Sequence, residues 1–377
     1  MQSSVLATTP MKKSRLPGSF STIYFFSGGP DGSAPGGDLT TSASLLYGTT
    51  AGIQSCGTAF SMTPSGSQTV LHVFGVDEGD GCNPVSNLLN VNGTLYGTTL
   101  DGGSGYCGGP GCGTVFSIDP SGAYQVVYNF QGAGDGIEPF GNLVNVGEDI
   151  YGTTFKGGMY SNGTVFVISS GQERVIHSFG GPDDGAAPHA GLLDMAGVLY
   201  GTTSQGGVGK RAEGTVFSIT PQGTEKVLWT FKKKGDGSGP LGGLTNIGDI
   251  LYGTTPIGGA KKQGCVFSVQ LNGKKKATEA VVYSFAENAN DGSEPYSDLL
   301  VSGQNLYGTT LYGGASGGYG IVFEVTQGGQ ETILHSFSGK TDGYAPYGGL
   351  VQLDGVLYGT TSSGGPSEDG TVFALTP

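Results

Sequence analysis

The chain has 377 residues, 74 of them glycine, with 12% charged residues and a formal net charge of -13. High glycine without a Gly-X-Y period excludes collagen, and 10% aromatic residues argue against a disordered low-complexity chain. The acidic balance lacks the basic face of a nucleic-acid binder, and no apolar run approaches the ~18 residues that a membrane-spanning helix needs.

Residues 1–18 read as an N-terminal tail. Lys12 and Lys13 are followed by no apolar stretch, so no secretory signal is read there. A strand-like run, Phe20-Ser-Thr-Ile-Tyr-Phe-Phe26, comes next, and then an Asp-Gly-x-x-Pro turn, Asp31–Pro35. From this point the chain repeats itself. Tyr-Gly-Thr-Thr occurs seven times, with its tyrosines at Tyr47, Tyr96, Tyr151, Tyr200, Tyr252, Tyr307 and Tyr358. Each copy has an Asp-Gly-x-x-Pro turn upstream and a glycine-led strand such as Gly214-Thr-Val-Phe217 downstream.

One unit, Pro188 to Phe231, contains four short β-branched or aromatic runs bounded by Gly, Pro or Asp, and none has a 3.6-residue period. Four strands with short loops need roughly 40 to 50 residues, which matches the repeat length. The unit is therefore read as a four-stranded antiparallel blade. A lone blade cannot bury both faces. Radial stacking can, so an all-β, seven-bladed β-propeller is expected, with an open solenoid as the alternative.

The chain ends favour the ring. The last unit stops at its third strand, Gly370-Thr-Val-Phe-Ala-Leu375, and the missing fourth-strand pattern is Phe20–Phe26. A single domain over 19–377 is expected, with 19–26 completing the closing blade formed by 346–377. Closure would remove an exposed sheet edge.

Within the repeat, Tyr and the residue before it alternate faces and can fill the spaces between blades. The glycine after each Tyr suggests a close backbone approach. The turn aspartates (Asp31, Asp80, Asp135, Asp184, Asp236, Asp291, Asp342) suit hydrogen bonds from their own turns. A ring of metal-binding carboxylates is the sharper alternative, but no metal and no cofactor are expected.

These phrases, in fixed order from Phe20 to Pro377, resemble the GloVer tandem-repeat family of bacterial proteins. The resemblance implies export or surface anchoring, and it implies no catalytic residues.

Function is sought where blades depart from one another, on the loop-rich face at the channel mouth. His189 follows its turn proline where other blades have Gly36, Val85, Phe140, Leu241, Tyr296 and Tyr347. Two residues further on stand Asp38, Asn87, Asn142 and Asp298. Aromatic rings, one imidazole and a few polar groups suit a carbohydrate or a flat organic ligand. A solvated rim without a ligand is the bland alternative. His72, His177 and His335 share a fourth-strand slot with Tyr128, Trp229 and Tyr283 and read as structural.

A cluster of basic residues, Lys210, Arg211, Lys232, Lys233, Lys234, Lys261 and Lys262, falls in loops on the same face. It could hold an anionic partner, or the lysines could serve solubility alone. Gly-x-Ser-x-Gly, His-Glu-x-x-His and a phosphate loop are absent. As an enzyme, the chain would be a metal-independent lyase, isomerase or cyclase. His189 would act with Asp184, Glu138 or Glu294 as acid–base groups, assisted by Tyr296 and Tyr347. A protein-interaction platform is a third reading, and a monomer is expected.

There are five cysteines. Cys56 with Cys82, and Cys107 with Cys112, are expected to form disulfides, while Cys265 replaces a motif Thr and reads as a buried thiol.

Overall fold

The seven repeats form seven four-stranded antiparallel sheets in the computed structural model. It describes residues 18–377 except 53, 54, 108, 133, 211, 233, 234, 274, 275, 287–289, 316 and 340. No helix occurs among the described residues. Blade four is representative. Its strands are Leu193–Met195, Val198–Thr203, Thr215–Ile219 and Glu225–Thr230, ordered from the channel outward.

The recurring motif has a mechanical reading in this frame. The two threonines of Tyr-Gly-Thr-Thr divide the labour. Thr203 Oγ1 lies 2.8 Å from Thr215 Oγ1 and ties two strands of one blade together. Thr202 Oγ1 donates to the carbonyl of Gly242 in the next blade at 3.2 Å. The tyrosine faces forward and the residue before it faces back. Tyr151 of blade three packs in one cluster with Leu199 and Phe217 of blade four. Seven such clusters fill the seven spaces between blades. Each fully buried Phe in them contributes roughly 1.5–3 kcal/mol.

The motif glycine answers to a different neighbour from the one expected. A Cβ on Gly201 would lie 2.6 Å from Cζ of Phe217, so the group that comes close is a phenyl ring rather than a backbone. The Tyr-Gly pair and the Phe of Gly-Thr-Val-Phe are two halves of one packing unit.

The ring closes through its two ends. The strand Phe20–Phe25 pairs antiparallel with Thr371–Leu375, from Phe20 opposite Leu375 to Phe25 opposite Thr371. The adjoining cluster joins Phe26, Tyr358 and Val372 to Leu39, Leu46 and Phe60 of blade one, as at the other six interfaces. This pairing removes the open solenoid. The expected tail lies almost wholly outside the described residues.

Both expected disulfides are present. Cys56–Cys82 joins a loop of blade one to the turn that enters blade two, and Cys107–Cys112 closes a short loop of blade two. Cys265 is a buried free thiol. Burial pushes its pKa up to about 12, which leaves it protonated and inert.

Candidate functional site

The turns that carry the chain between blades converge on the channel mouth. In all seven, the residue before the proline is left-handed: Ala34, Asn83, Glu138, Ala187, Gly239, Glu294 and Ala345 have φ between 52° and 60°. The residue after the proline then faces inward. Gly36, Val85, Phe140, His189, Leu241, Tyr296 and Tyr347 all line one central cavity of about 50 Å³. Three residues past the proline, one pleat deeper, Asp38, Asn142 and Asp298 line the same cavity.

These deeper side chains form one network with a simple rule. Each polar oxygen accepts the backbone N–H of the equivalent residue in the preceding blade. Asn142 Oδ1 accepts from Asn87 N–H at 2.9 Å, Asp298 Oδ1 from Gly243 N–H, and Asp38 Oδ1 from Gly349 N–H. The Asn142 amide also bridges the ring, donating at 3.2 Å to both Asp38 Oδ2 and Asp298 Oδ2. Two carboxyl groups thus share one amide in a buried well whose lining, among the described residues, includes no lysine or arginine. Burial pushes the Asp38 carboxyl above the usual carboxylate range. Asp298 is pushed up to about 7, first by burial and then by the charge of Asp38.

Above the pair stand the rings. His189 packs on Phe140 with centroids 3.8 Å apart, and its Nδ1 lies 3.3 Å from the carbonyl of Leu241. Burial pulls the imidazole down to about 4, so it is neutral at pH 7. Tyr296 and Tyr347 face each other at 5.3 Å. Burial lifts both phenols, that of Tyr347 to about 12.

The structure therefore brings together His189, Phe140, Tyr296, Tyr347, Asp38, Asn142 and Asp298, and Asn87 joins through its backbone. It does not bring Glu138 or Glu294 into the lining. As left-handed residues before proline, they leave the channel. Glu138 pairs with Lys156 at 2.8 Å, and Glu294 accepts from the Tyr296 hydroxyl at 3.4 Å. Lys210 is exposed and apart from the well. Arg211 and Lys233 lie outside the described residues.

The turn aspartates bond their own turns, as Asp184 does with the N–H groups of Gly180 and Gly185. They also do something the sequence reading missed. Each outer strand carries a bulge, so that Val216 faces Trp229 while Phe217 faces Val227. The extra residue sends positions four apart to opposite faces of the blade. Glu225 consequently looks back to Asp184, and Trp229 looks forward. Around the ring this places a fourth-strand ring, a turn aspartate and the first residue of the next outer strand together. Examples are His72–Asp80–Tyr124 (3.0 and 2.6 Å) and Tyr24–Asp31–Gln68. The signal was present as a residue spacing of four in every outer strand, but the bulge that gives it meaning is not visible in sequence.

Fold and well together define a seven-bladed propeller with an acid-lined axial pocket. Its family is shown directly: the Gloeobacter/Verrucomicrobia repeat model matches residues 11–212 and 197–377, and the chain belongs to that family. No curated protein matches the sequence. Among solved structures, a Bacteroides uniformis protein described as a 6-phosphogluconolactonase is similar at 15% identity and TM-score 0.52. That match covers 80% of this chain and 84% of the other. PorZ, a surface component of the type-IX secretion system of Porphyromonas gingivalis, is similar at 11% identity and TM-score 0.55, over 90% of this chain and 46% of its own. A luciferin-regenerating enzyme matches at 12% identity and TM-score 0.50, over 96% and 95%. At such identities the likeness is one of fold.

Proposed function

We propose that the protein is a ligand-binding propeller that takes a carbohydrate or a similar small polyhydroxylated ligand at the mouth of its axial well. The observation that carries this reading is the convergence of two buried carboxyl groups beneath a collar of Phe140, His189, Tyr296 and Tyr347. Rings supply flat apolar contact, and the carboxyl oxygens accept hydroxyl hydrogens. A cavity of about 50 Å³ holds one or two waters rather than a sugar ring. The ligand therefore lies across the mouth and sends one hydroxyl group into the well.

Glycan-array screening followed by calorimetry tests this. Tyr347→Ala and Phe140→Ala should each weaken binding by about tenfold, the worth of one stacked ring. Asp298→Asn should weaken it further, and His189→Ala should cost no more than the loss of another ring of the collar. Absence of any glycan hit, or affinities indifferent to the aromatic substitutions, would overturn the proposal.

One observation favours a catalytic reading in the same pocket. Asp38 and Asp298, pressed together and sharing a donor, can hold a proton near neutral pH beside a neutral imidazole, an arrangement suited to acid–base chemistry. Turnover of a screened substrate that is lost in both Asp298→Asn and His189→Ala would select this reading over simple binding.

A further inference from the structure

The ring of inter-blade clusters contains one member unlike the rest. Between blades three and four, His177, Asp184 and Glu225 bring one imidazole and two carboxylates together, with their candidate ligand atoms all within 4.8 Å of one another. His177 Nε2 and Asp184 Oδ2 are 3.1 Å apart, the hydrogen-bonded contact that His72–Asp80 and His335–Asp342 also make, and one that two ligands of a small cation at ~2.0–2.2 Å can share. Glu225 Oε1 is buried and has no hydrogen-bond partner, as is true of the Oε1 atoms of Glu173, Glu279 and Glu331 at the same place in other blades, but among the described residues only Glu225 has an imidazole and a second carboxyl group beside it.

The other six clusters act as internal controls. Blades two, four and five offer Tyr128, Trp229 and Tyr283 in place of the histidine, and Tyr24 does so in the closing blade. Where histidine recurs, at His72 and His335, the third position is Tyr124 or Phe20. Three ligating side chains coincide only at His177, Asp184 and Glu225 among the described residues. The cluster borders an open groove flanked by Met159, Tyr160 and Gly181, so a cation there can reach solvent and keep water in its remaining positions.

We propose that His177, Asp184 and Glu225 form a binding site for a divalent transition-metal ion, Zn²⁺ in the first instance, pinning blade three to blade four. One imidazole nitrogen with two carboxylate oxygens favours Zn²⁺ over Ca²⁺ or Mg²⁺, which prefer all-oxygen shells. The site stands apart from the axial well and does not depend on what the well binds.

The test uses the full, tag-free chain, stripped with a chelator, titrated with Zn²⁺ by calorimetry and with Co²⁺ by visible absorption. His177→Tyr and Glu225→Gln are the informative variants, because tyrosine and glutamine already occupy these slots in other blades, at Tyr128 and Gln68. Wild type should take up one ion at this site and melt at a higher temperature with Zn²⁺ than without. Each variant should bind it at least ~100-fold more weakly, since even a partner of a metal ligand is worth 10–100-fold. His72→Tyr and His335→Tyr should bind as wild type does. A wild-type protein that takes up no Zn²⁺, or His177→Tyr and Glu225→Gln proteins that bind it undiminished, would overturn the assignment. A variant that fails to fold leaves the wild-type uptake, the zinc-dependent melting shift and the other variant to decide.

Discussion

Phe20 lies flat on His335, with ring centroids 3.6 Å apart and planes 3° from parallel. The first strand of the chain thus stacks on blade six while it pairs with the last strand, and the ring is held by both contacts. Phe20→Ala should lower stability by about 2–3 kcal/mol, below the full 3–5 of a fully buried phenylalanine because Phe20 is only half-buried. Removal of residues 1–26 should abolish cooperative melting, since it strips a strand from blade seven and Phe26 from the cluster it shares with blade one. A truncated protein that melts as sharply and at the same temperature as the whole would refute closure as the source of cooperativity. Calorimetric scans of the three proteins decide the matter.

The pairing of motif glycine and motif phenylalanine yields a second expectation. Gly201→Ala places a methyl group against the Phe217 ring and should cost about 1–3 kcal/mol, as overpacking does. If the clash is the cause, Phe217→Leu should make the glycine change cheaper than it is alone, so the double variant should cost less than the sum of the two single variants. Additive costs in denaturant unfolding would point instead to the backbone.

Much of the fold was legible because the sequence states each blade's packing in residues that touch. Leu199 and Tyr200 have equivalents that pack between blades around the ring, and the bonds made by Thr202 and Thr203 return in most of the seven blades. The well was legible for a related reason: the turn proline marks a register, and departures from the repeat at that register, such as His189 and Tyr347, must face the axis. The sharing of Asn142 between Asp38 and Asp298 was not legible, because blades one, three and six meet only across a closed ring. Glu138 and Glu294 were misleading neighbours of the same proline. Their left-handed backbone turns them off the channel, and a glutamate's identity does not announce a positive φ as a glycine's or an asparagine's does. The inter-blade clusters were hidden by the bulge, which alone decides that Glu225 and Trp229 face different blades.

The two disulfides should differ in worth. Cys56–Cys82 closes a loop with a sequence separation of 26, and Cys107–Cys112 one of 5. The chain-entropy relation gives about 3.5 kcal/mol for the longer loop and about 2 for the shorter. Cys56→Ser with Cys82→Ser should therefore destabilise more than Cys107→Ser with Cys112→Ser. Urea unfolding of the two double variants measures the order, and equal midpoints would contradict it.

Stability should also fall as pH rises from 5 to 8. Burial, with a nearby turn aspartate, pushes Glu173, Glu279 and Glu331 up to about 7, and Asp298 moves the same way. A carboxyl raised in the folded state favours folding fully below its unfolded pKa near 4.5, where both states are protonated. That contribution is lost as pH climbs through 7, because the folded chain must then ionise a buried group or hold a proton the unfolded chain has released. Asp80 is shifted the other way by His72 and Tyr124 against the cost of burial, so its contribution fades only below about pH 4, outside this window. Glu331→Gln isolates one member of the set. At the equivalent place Gln68 donates from Nε2 to the carbonyl of Asp31 at 3.2 Å, so a glutamine at 331 has a ready partner in the carbonyl of Asp291. The variant should match wild type near pH 5, exceed it at pH 8, and show a shallower decline between them. Melting temperatures across that range test this, and a slope unchanged by Glu331→Gln would mean that the carboxyl ionises in the folded protein as freely as in the unfolded chain.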